Sequence, residues 1–350
     1  MKKIPAAILG ATGSVGQRFV QLLDQHPWFD VVCLTGSERT IGTRYGETCR
    51  WLLTDPMPEW AKDIVVSPTD PAKVDQPLVF SALPTDIAKT VEADFAAKGS
   101  MVCSNASAFR MADDVPILIP EANAEHAKLV EVQRSQRGWK GGIVTNSNCT
   151  STGITVAFKA MLDAFGIDKA FVVSMQALSG AGFPGVPSMD VIDNLIPFIG
   201  GEEHKVQTEP LKMLGTINGN KIDFADFPIS AHTNRVGITD GHTVCASLAL
   251  KKKPSVAEAI EAIRSYQAPE ICRDLPSTPR PVLLYRNEDN RPQPRMDRMT
   301  GKGMTTVVGR LREDPIFDVK MVICSHNTIR GAAGGSVYNA ELLTKMGYLS

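Results

Sequence analysis

No stretch of this 350-residue sequence is apolar for long enough to span a bilayer, so no membrane is expected as partner. Charge of one sign is also missing. The 37 Lys and Arg stand against 38 Asp and Glu, which removes any whole-chain case for nucleic acid or an anionic membrane surface. The one basic cluster, Lys251-Lys252-Lys253, precedes Pro254 and a helix-like run, and reads as a solvated edge. Lys2 and Lys3 with the short apolar run behind them faintly suggest a signal peptide. That run ends after Leu9 in a glycine-rich turn rather than a cleavage site, so no targeting is expected. Seven scattered cysteines, an odd number, make no disulfide framework and fit reduced thiols in a cytoplasm. Repeats and low-complexity linkers are absent, and no metal is expected.

What is present is an ordinary 43% apolar share in a chain long enough for two domains. Strand-like runs at 4–9, 31–35, 78–82, 101–103 and 117–119 alternate with helix-like segments such as 14–24. This pattern implies a mostly parallel sheet with helices on both faces. Near residue 150 the character changes. A long helix over 150–165 is followed by long strand candidates at 169–178, 240–250, 305–312 and 317–325, which suggest an antiparallel sheet in a second, α+β domain. Residues 276–294, rich in proline and arginine, read as an ordered surface loop or arm. Residues 332–346 read as a helix.

Gly10-Ala11-Thr12-Gly13-Ser14-Val15-Gly16 follows the first strand and opens the first helix. Glycines there let the backbone turn tightly against a pyrophosphate, which the helix N-terminus favours with N–H donors and its dipole. The spacing is G-x-x-G-x-x-G, and its position between strand and helix is what gives it weight; the bland alternative is a glycine-rich turn with no ligand. The second strand leads into Gly36-Ser37-Glu38-Arg39-Thr40. Ser37 and Arg39 suit a 2′-phosphate and hence NADP, while an inward Glu38 carboxylate would favour NAD.

Cys149 lies in Asn146-Ser147-Asn148-Cys149-Thr150-Ser151-Thr152-Gly153, between a strand-like run at 142–145 and the long helix. A sulfur at a helix N-terminus is favoured as thiolate, and the same N–H groups could hold an oxyanion. Cys33, Cys103, Cys245 and Cys324 sit in apolar strand-like runs, where a buried small hydrophobe is the default. Among six histidines, His242 follows Arg235 by seven residues at the start of a long strand. A lone histidine is more often a structural hydrogen-bonder than a base.

Taken together, these segments resemble aspartate-semialdehyde dehydrogenase in its archaeal and fungal form, over nearly the whole chain. The resemblance is carried by residues 10–16, by Ser-Ala-Leu-Pro at 81–84, Asn-Cys-Thr at 148–150 and Gln-Ala-Leu-Ser-Gly-Ala-Gly at 176–182. It continues through Gly-Glu-Glu-His-Lys at 201–205, residues 235–242, and Asn-Thr-Ile-Arg-Gly-Ala-Ala-Gly-Gly at 327–335. It implies a Rossmann-type NADP-binding domain over 1–147 and a catalytic and dimerisation domain with a mainly antiparallel sheet over 148–330. A C-terminal helix over 331–350 would pack back on the first domain.

The resemblance further implies Cys149 as nucleophile, His242 as acid/base and Gln176 as the residue orienting the acyl group. Arg235 and Glu202 would hold the substrate's carboxylate and amino group, with Asn148 beside them, and Arg110 and Lys205 the phosphate. Gly10, Thr12, Gly13, Ser14, Val15, Ser81, Gly180 and Asn327 would line the cofactor site, with Asn327 on the nicotinamide carboxamide. The implied reaction is reversible reduction of β-aspartyl phosphate to aspartate semialdehyde with release of inorganic phosphate, on the route to lysine, threonine and methionine. A homodimer or homotetramer is implied. Two departures stand out: a histidine in Glu-Glu-His-Lys where the family pattern has an acidic residue, and Ser-Glu-Arg-Thr in place of Ser-x-Arg-Ser. The rival readings are a malonyl-CoA reductase on the same scaffold, the more distant N-acetyl-glutamyl-phosphate reductase, and a catalytically idle NADP-binding or redox-sensing protein.

Overall fold

A computed structural model describes residues 2–349. Met1 and Ser350, which the expected first domain and last helix include, lie outside the described residues. Strands β1 (Ile4–Leu9), β2 (Phe29–Gly36), β3 (Ser67–Pro68), β4 (Leu78–Ser81), β5 (Met101–Ser104) and β6 (Gly142–Thr145) form one sheet in the order β3-β2-β1-β4-β5-β6. Every pairing in it is parallel. Parallel strands covered by helices on both faces need apolar residues throughout. Accordingly β4, β5 and β6 are buried along their whole length. The chain reverses direction of travel between β1 and β4, and such a switch point opens a crevice at the carboxyl ends of the strands.

The second sheet is built from β7 (Ile167–Gln176), β10 (Ile229–Arg235), β11 (His242–Leu250), β12 (Leu283–Arg286), β13 (Thr306–Glu313) and β14 (Val319–Ser325), in the order β10-β7-β11-β14-β13-β12. β8 (Thr216–Asn218) and β9 (Lys221–Asp223) form a separate hairpin. The three central pairings are antiparallel and the two outer ones parallel. One face packs on the helix Cys149–Phe165. The other face carries half-buried Phe171, Val173 and Met175, as alternation along a one-sided strand requires. The helix Gly334–Lys345 returns to pack on the helix Ser14–Leu22 and on β4 and β5. Among the described residues no helix is long and apolar enough to cross a membrane.

Three local expectations are corrected. Residues 117–119 form no strand; Ile117 makes a single bridge to Thr145, because Pro116 and Pro120 flank the run and lack ladder donors. The 276–294 segment is not only a loop, since it contributes β12 to the sheet edge. Cys245 is exposed rather than buried, because it takes the outward position of β11.

Candidate active site

Several strand ends meet over one helix terminus. β6 delivers the chain through residues 146–148 into the helix that begins at Cys149. Gln176 ends β7 and Arg235 ends β10, and the two are register partners. His242 opens β11. The result is a cleft of about 700 Å³ whose lining includes Cys149, Gln176, Arg235, Glu202 and Lys205, with Arg110 reaching in from the first domain.

Cys149 Sγ lies 3.0 Å from His242 Nε2. The Ala177 N–H donates to His242 Nδ1 at 3.0 Å. With Nδ1 accepting, a neutral ring carries its proton on Nε2, facing the sulfur. Ala177 is itself fixed, its carbonyl accepting from Arg235 Nη1 at 2.8 Å. Burial, with the charge of Arg235 adding to it, lowers His242 to about 3. Burial raises the Cys149 thiol to about 12; Glu202 pushes in the same direction, while Arg110 and Arg235 oppose it. The resting pair is therefore thiol and neutral imidazole, contrary to the thiolate expected from helix position. Desolvation outweighs the helix end here. The oxyanion expectation is also narrowed. Asn148 Oδ1 accepts from the Thr150 and Ser151 N–H groups at 3.0 and 3.2 Å, so both donors cap the helix, and the Thr150 N–H is shared with the Cys149 sulfur, whose pKa it lowers.

Glu202, on the helix Glu202–Met213, gathers the polar groups around the sulfur. Its Oε2 accepts from Asn148 Nδ2 at 2.7 Å and Gln176 Nε2 at 3.3 Å, and its Oε1 from Lys205 Nζ at 3.0 Å. Arg110 donates through Nη1 to Glu209 at 3.0 Å and through Nη2 to the Asn105 carbonyl at 2.8 Å, and its buried Nε has no protein partner. Two glycines are held close for steric reasons. A Cβ on Gly331 would lie 2.7 Å from Cys149 Cβ, and one on Gly180 would lie 2.9 Å from Arg235 Nη1.

The cofactor candidates divide. Ser14, Val15, Gly180 and Asn327 line the same cleft, and Thr12 and Gly13 line its continuation. Gly10 has φ +71°, and a Cβ there would lie 2.9 Å from the Ala82 carbonyl oxygen, while one on Gly16 would meet Gly10 O at 2.3 Å. The helix Ser14–Leu22 has no side-chain cap and no acidic residue in its first turn, so its N–H donors stay open to an anion. These features fit a dinucleotide pyrophosphate. Asn327 accepts from Gly241 N and donates to Ser179 Oγ, so both ends of its amide are engaged. Ser37 and Arg39 are exposed on the turn after β2 and line neither cavity. Ser81 does not line the cleft as expected. Its side chain is fully buried inside the first domain, and Ala82 takes the lining position.

Sequence reading missed Asn105, Ser179 and above all Glu209. A signal for Glu209 existed: residues 202, 205, 209 and 212 are spaced to share one face of a helix.

The chain matches two family models, "Semialdehyde dehydrogenase, NAD binding domain" over residues 5–130 and "Semialdehyde dehydrogenase, dimerisation domain" over residues 158–330. It is 52% identical to an aspartate-semialdehyde dehydrogenase of Archaeoglobus fulgidus, covering 97% of each chain. To that of Methanothermobacter thermautotrophicus it is 47% identical, over 98% of this chain and 99% of the relative. Its fold superposes on the crystal structure of aspartate semialdehyde dehydrogenase with NADP from Candida albicans with a TM-score of 0.91 and 37% identity, over 99% of this chain and 100% of that one.

Proposed function

The chain belongs to the aspartate-semialdehyde dehydrogenase family, and on that premise we propose how its residues carry the NADP-dependent, reversible reduction of β-aspartyl phosphate to aspartate semialdehyde. The observation that carries the reading is the 3.0 Å contact between Cys149 Sγ and His242 Nε2 at the base of a cleft that also holds Glu202, Lys205, Arg110 and Arg235.

Arg235 takes the substrate's carboxylate and Glu202 its ammonium, while Arg110 and Lys205 take the phosphate. An ammonium on Glu202 offsets the carboxylate charge that holds the thiol protonated, so substrate binding itself favours thiolate. For Nε2 to take the thiol proton, the neutral ring first carries its own proton on Nδ1, which releases the Ala177 contact there. The thiol proton then passes to Nε2, and the imidazolium bears a proton on each ring nitrogen. Sγ attacks the acyl carbon, the carbon–oxygen bond to phosphate breaks, and a thioester forms on Cys149. Gln176 orients the acyl group. NADP, when bound, supplies the hydride in reduction and accepts it in oxidation. His242 returns its proton as the hemithioacetal collapses to aldehyde and free thiol.

The turn at Gly10, Thr12, Gly13, Ser14 and Val15 would hold the pyrophosphate, Ser37 and Arg39 the 2′-phosphate, and Gly180 and Asn327 the nicotinamide end. Glu38 beside Arg39 leaves NAD as a second cofactor. We assign residues 1–147 and 148–330 as the two functional units. The uncovered face of the second sheet, with Phe171, Val173 and Met175, suits pairing of two subunits, and a pair of such dimers would make a tetramer. Seven unpaired cysteines support a reducing, cytoplasmic setting.

Malonyl-CoA is not favoured, because it has no amino group for Glu202. The test is NADP reduction with aspartate semialdehyde, with and without phosphate, against NADPH oxidation with malonyl-CoA. Cys149→Ala should abolish turnover and keep NADP binding. Intact mass with substrate and no cofactor should show an acyl adduct on Cys149, and repeated failure to trap one would count against the mechanism.

A further inference from the structure

We propose that Glu209 is a positioning residue that sets the phosphate-binding arginine of one sheet domain against the nucleophile of the other. The inference rests on the reading of Arg110 as a phosphate ligand and Cys149 as the nucleophile. Glu209 does not line the cleft. It is 2% exposed, and its two carboxylate oxygens are spent on opposite sides of the site. Oε1 accepts from Arg110 Nη1 at 3.0 Å. Oε2 accepts from the backbone N–H of Asn148 at 2.5 Å, one residue before Cys149. A single carboxylate thus fixes both the guanidinium and the backbone that delivers the sulfur.

The same helix face adds a second hold. Lys212 is 1% exposed and donates to the carbonyls of Arg110, Ala112 and Val115 at 2.7, 2.6 and 2.8 Å. The three hydrogens of its ammonium are all used on the segment that carries Arg110. From Glu202 through Lys205 and Glu209 to Lys212, one face of the helix Glu202–Met213 therefore meets substrate groups at one end and places Arg110 at the other. Without Glu209, Nη1 loses its charged partner and a long, flexible side chain loses its fixed direction. Glu209 and the Asn105 carbonyl engage two of the five guanidinium N–H donors, and the others are left for phosphate.

The experiment is steady-state oxidation of aspartate semialdehyde by the full-length enzyme, with phosphate and semialdehyde varied separately. Glu209→Gln keeps the shape and removes the charge; the KM for phosphate should rise roughly tenfold or more while that for semialdehyde stays within about twofold. Arg110→Met tests the underlying reading by itself. If it leaves the phosphate KM unchanged, that reading fails. In the Arg110→Met background, Glu209→Gln should add nothing further to the phosphate KM. The proposal is overturned if Glu209→Gln leaves the phosphate KM unchanged, raises both KM values alike, or acts equally with and without Arg110. Should Glu209→Gln fail to fold, Glu209→Asp keeps the charge and shortens the reach. A phosphate-selective rise there supports the proposal, and its absence overturns it.

Discussion

Cys149 Sγ and His242 Nε2 are 3.0 Å apart, yet the ligand-free site holds them as a neutral thiol and a neutral ring rather than as an ion pair. Burial disfavours the charged form of each, which raises an acid and lowers a base, so the two shifts diverge where an ion pair would need them to cross. With the thiol near 12, the thiolate fraction grows with pH across the whole neutral range. The rate of alkylation of the ligand-free enzyme by iodoacetamide should therefore climb from pH 6 to 10 without a plateau. Glu202→Gln removes a charge that holds the proton on sulfur, and should raise the rate at pH 8 severalfold. A plateau near pH 6 would show a standing thiolate–imidazolium pair.

Gly331 is held against the nucleophile. A Cβ there would lie 2.7 Å from Cys149 Cβ and 2.8 Å from its Cα, distances that real side chains do not occupy. Gly331→Ala must move Cys149 or the 329–333 turn. A displacement of about 1 Å from attacking geometry can cost on the order of a hundredfold in rate. We expect kcat to fall by roughly that factor while NADP binding, followed by fluorescence quenching, stays within about threefold. Unchanged kcat would mean that the turn yields without disturbing the sulfur.

The parts of this site that were legible in the sequence are local ones. The Gly10–Gly16 turn and the Cys149 helix start announce themselves because strand, turn and helix succeed one another within a few residues. The electrostatics were not legible. Whether a helix end lowers a thiol depends on how deeply the sulfur lies and on how far Asn148 competes with it for the free N–H groups. Likewise Arg110 finds Glu209 only across the domain boundary, and the sequence offered no more than the helical spacing of four charged residues. The exposure of Cys245 is hidden in the sequence for a similar reason, since alternation identifies two faces of a strand but not which of them the rest of the chain covers.

Glu92 should make stability fall with pH. It is fully buried, Ser104 Oγ donates to its Oε1, and its Oε2 has no protein partner. Desolvation raises it from 4.5 to about 7. The folded state thus binds this proton more tightly than the unfolded chain, so the stabilisation is full below pH 4.5 and is lost as pH rises through about 7. The loss is on the order of 3 kcal/mol. Glu92→Gln should be more stable than the parent at pH 8 in urea unfolding, and the difference should vanish near pH 4. A constant difference at both pH values would assign the effect to packing instead.

Arg39 offers a sharper test of cofactor choice than the glycine turn, because pyrophosphate contacts are common to NAD and NADP and a 2′-phosphate contact is not. The residue is exposed after β2, on a turn that Thr40 closes by donating its N–H and its hydroxyl to the Ser37 carbonyl, each at 2.9 Å. That backbone bond does not involve the Arg39 side chain, so Arg39→Ala should leave the turn intact. A charge-assisted contact to phosphate contributes about 1.5–3 kcal/mol, which corresponds to a rise in the KM for NADP of roughly 10- to 150-fold. The KM for NAD should not rise, and removing the competing carboxylate with Glu38→Gln should weaken NAD without harming NADP. Equal losses for both cofactors in Arg39→Ala would place Arg39 at the adenosine or the turn itself, and would leave Ser37 as the only hydroxyl or cation on this turn proposed for the 2′ position.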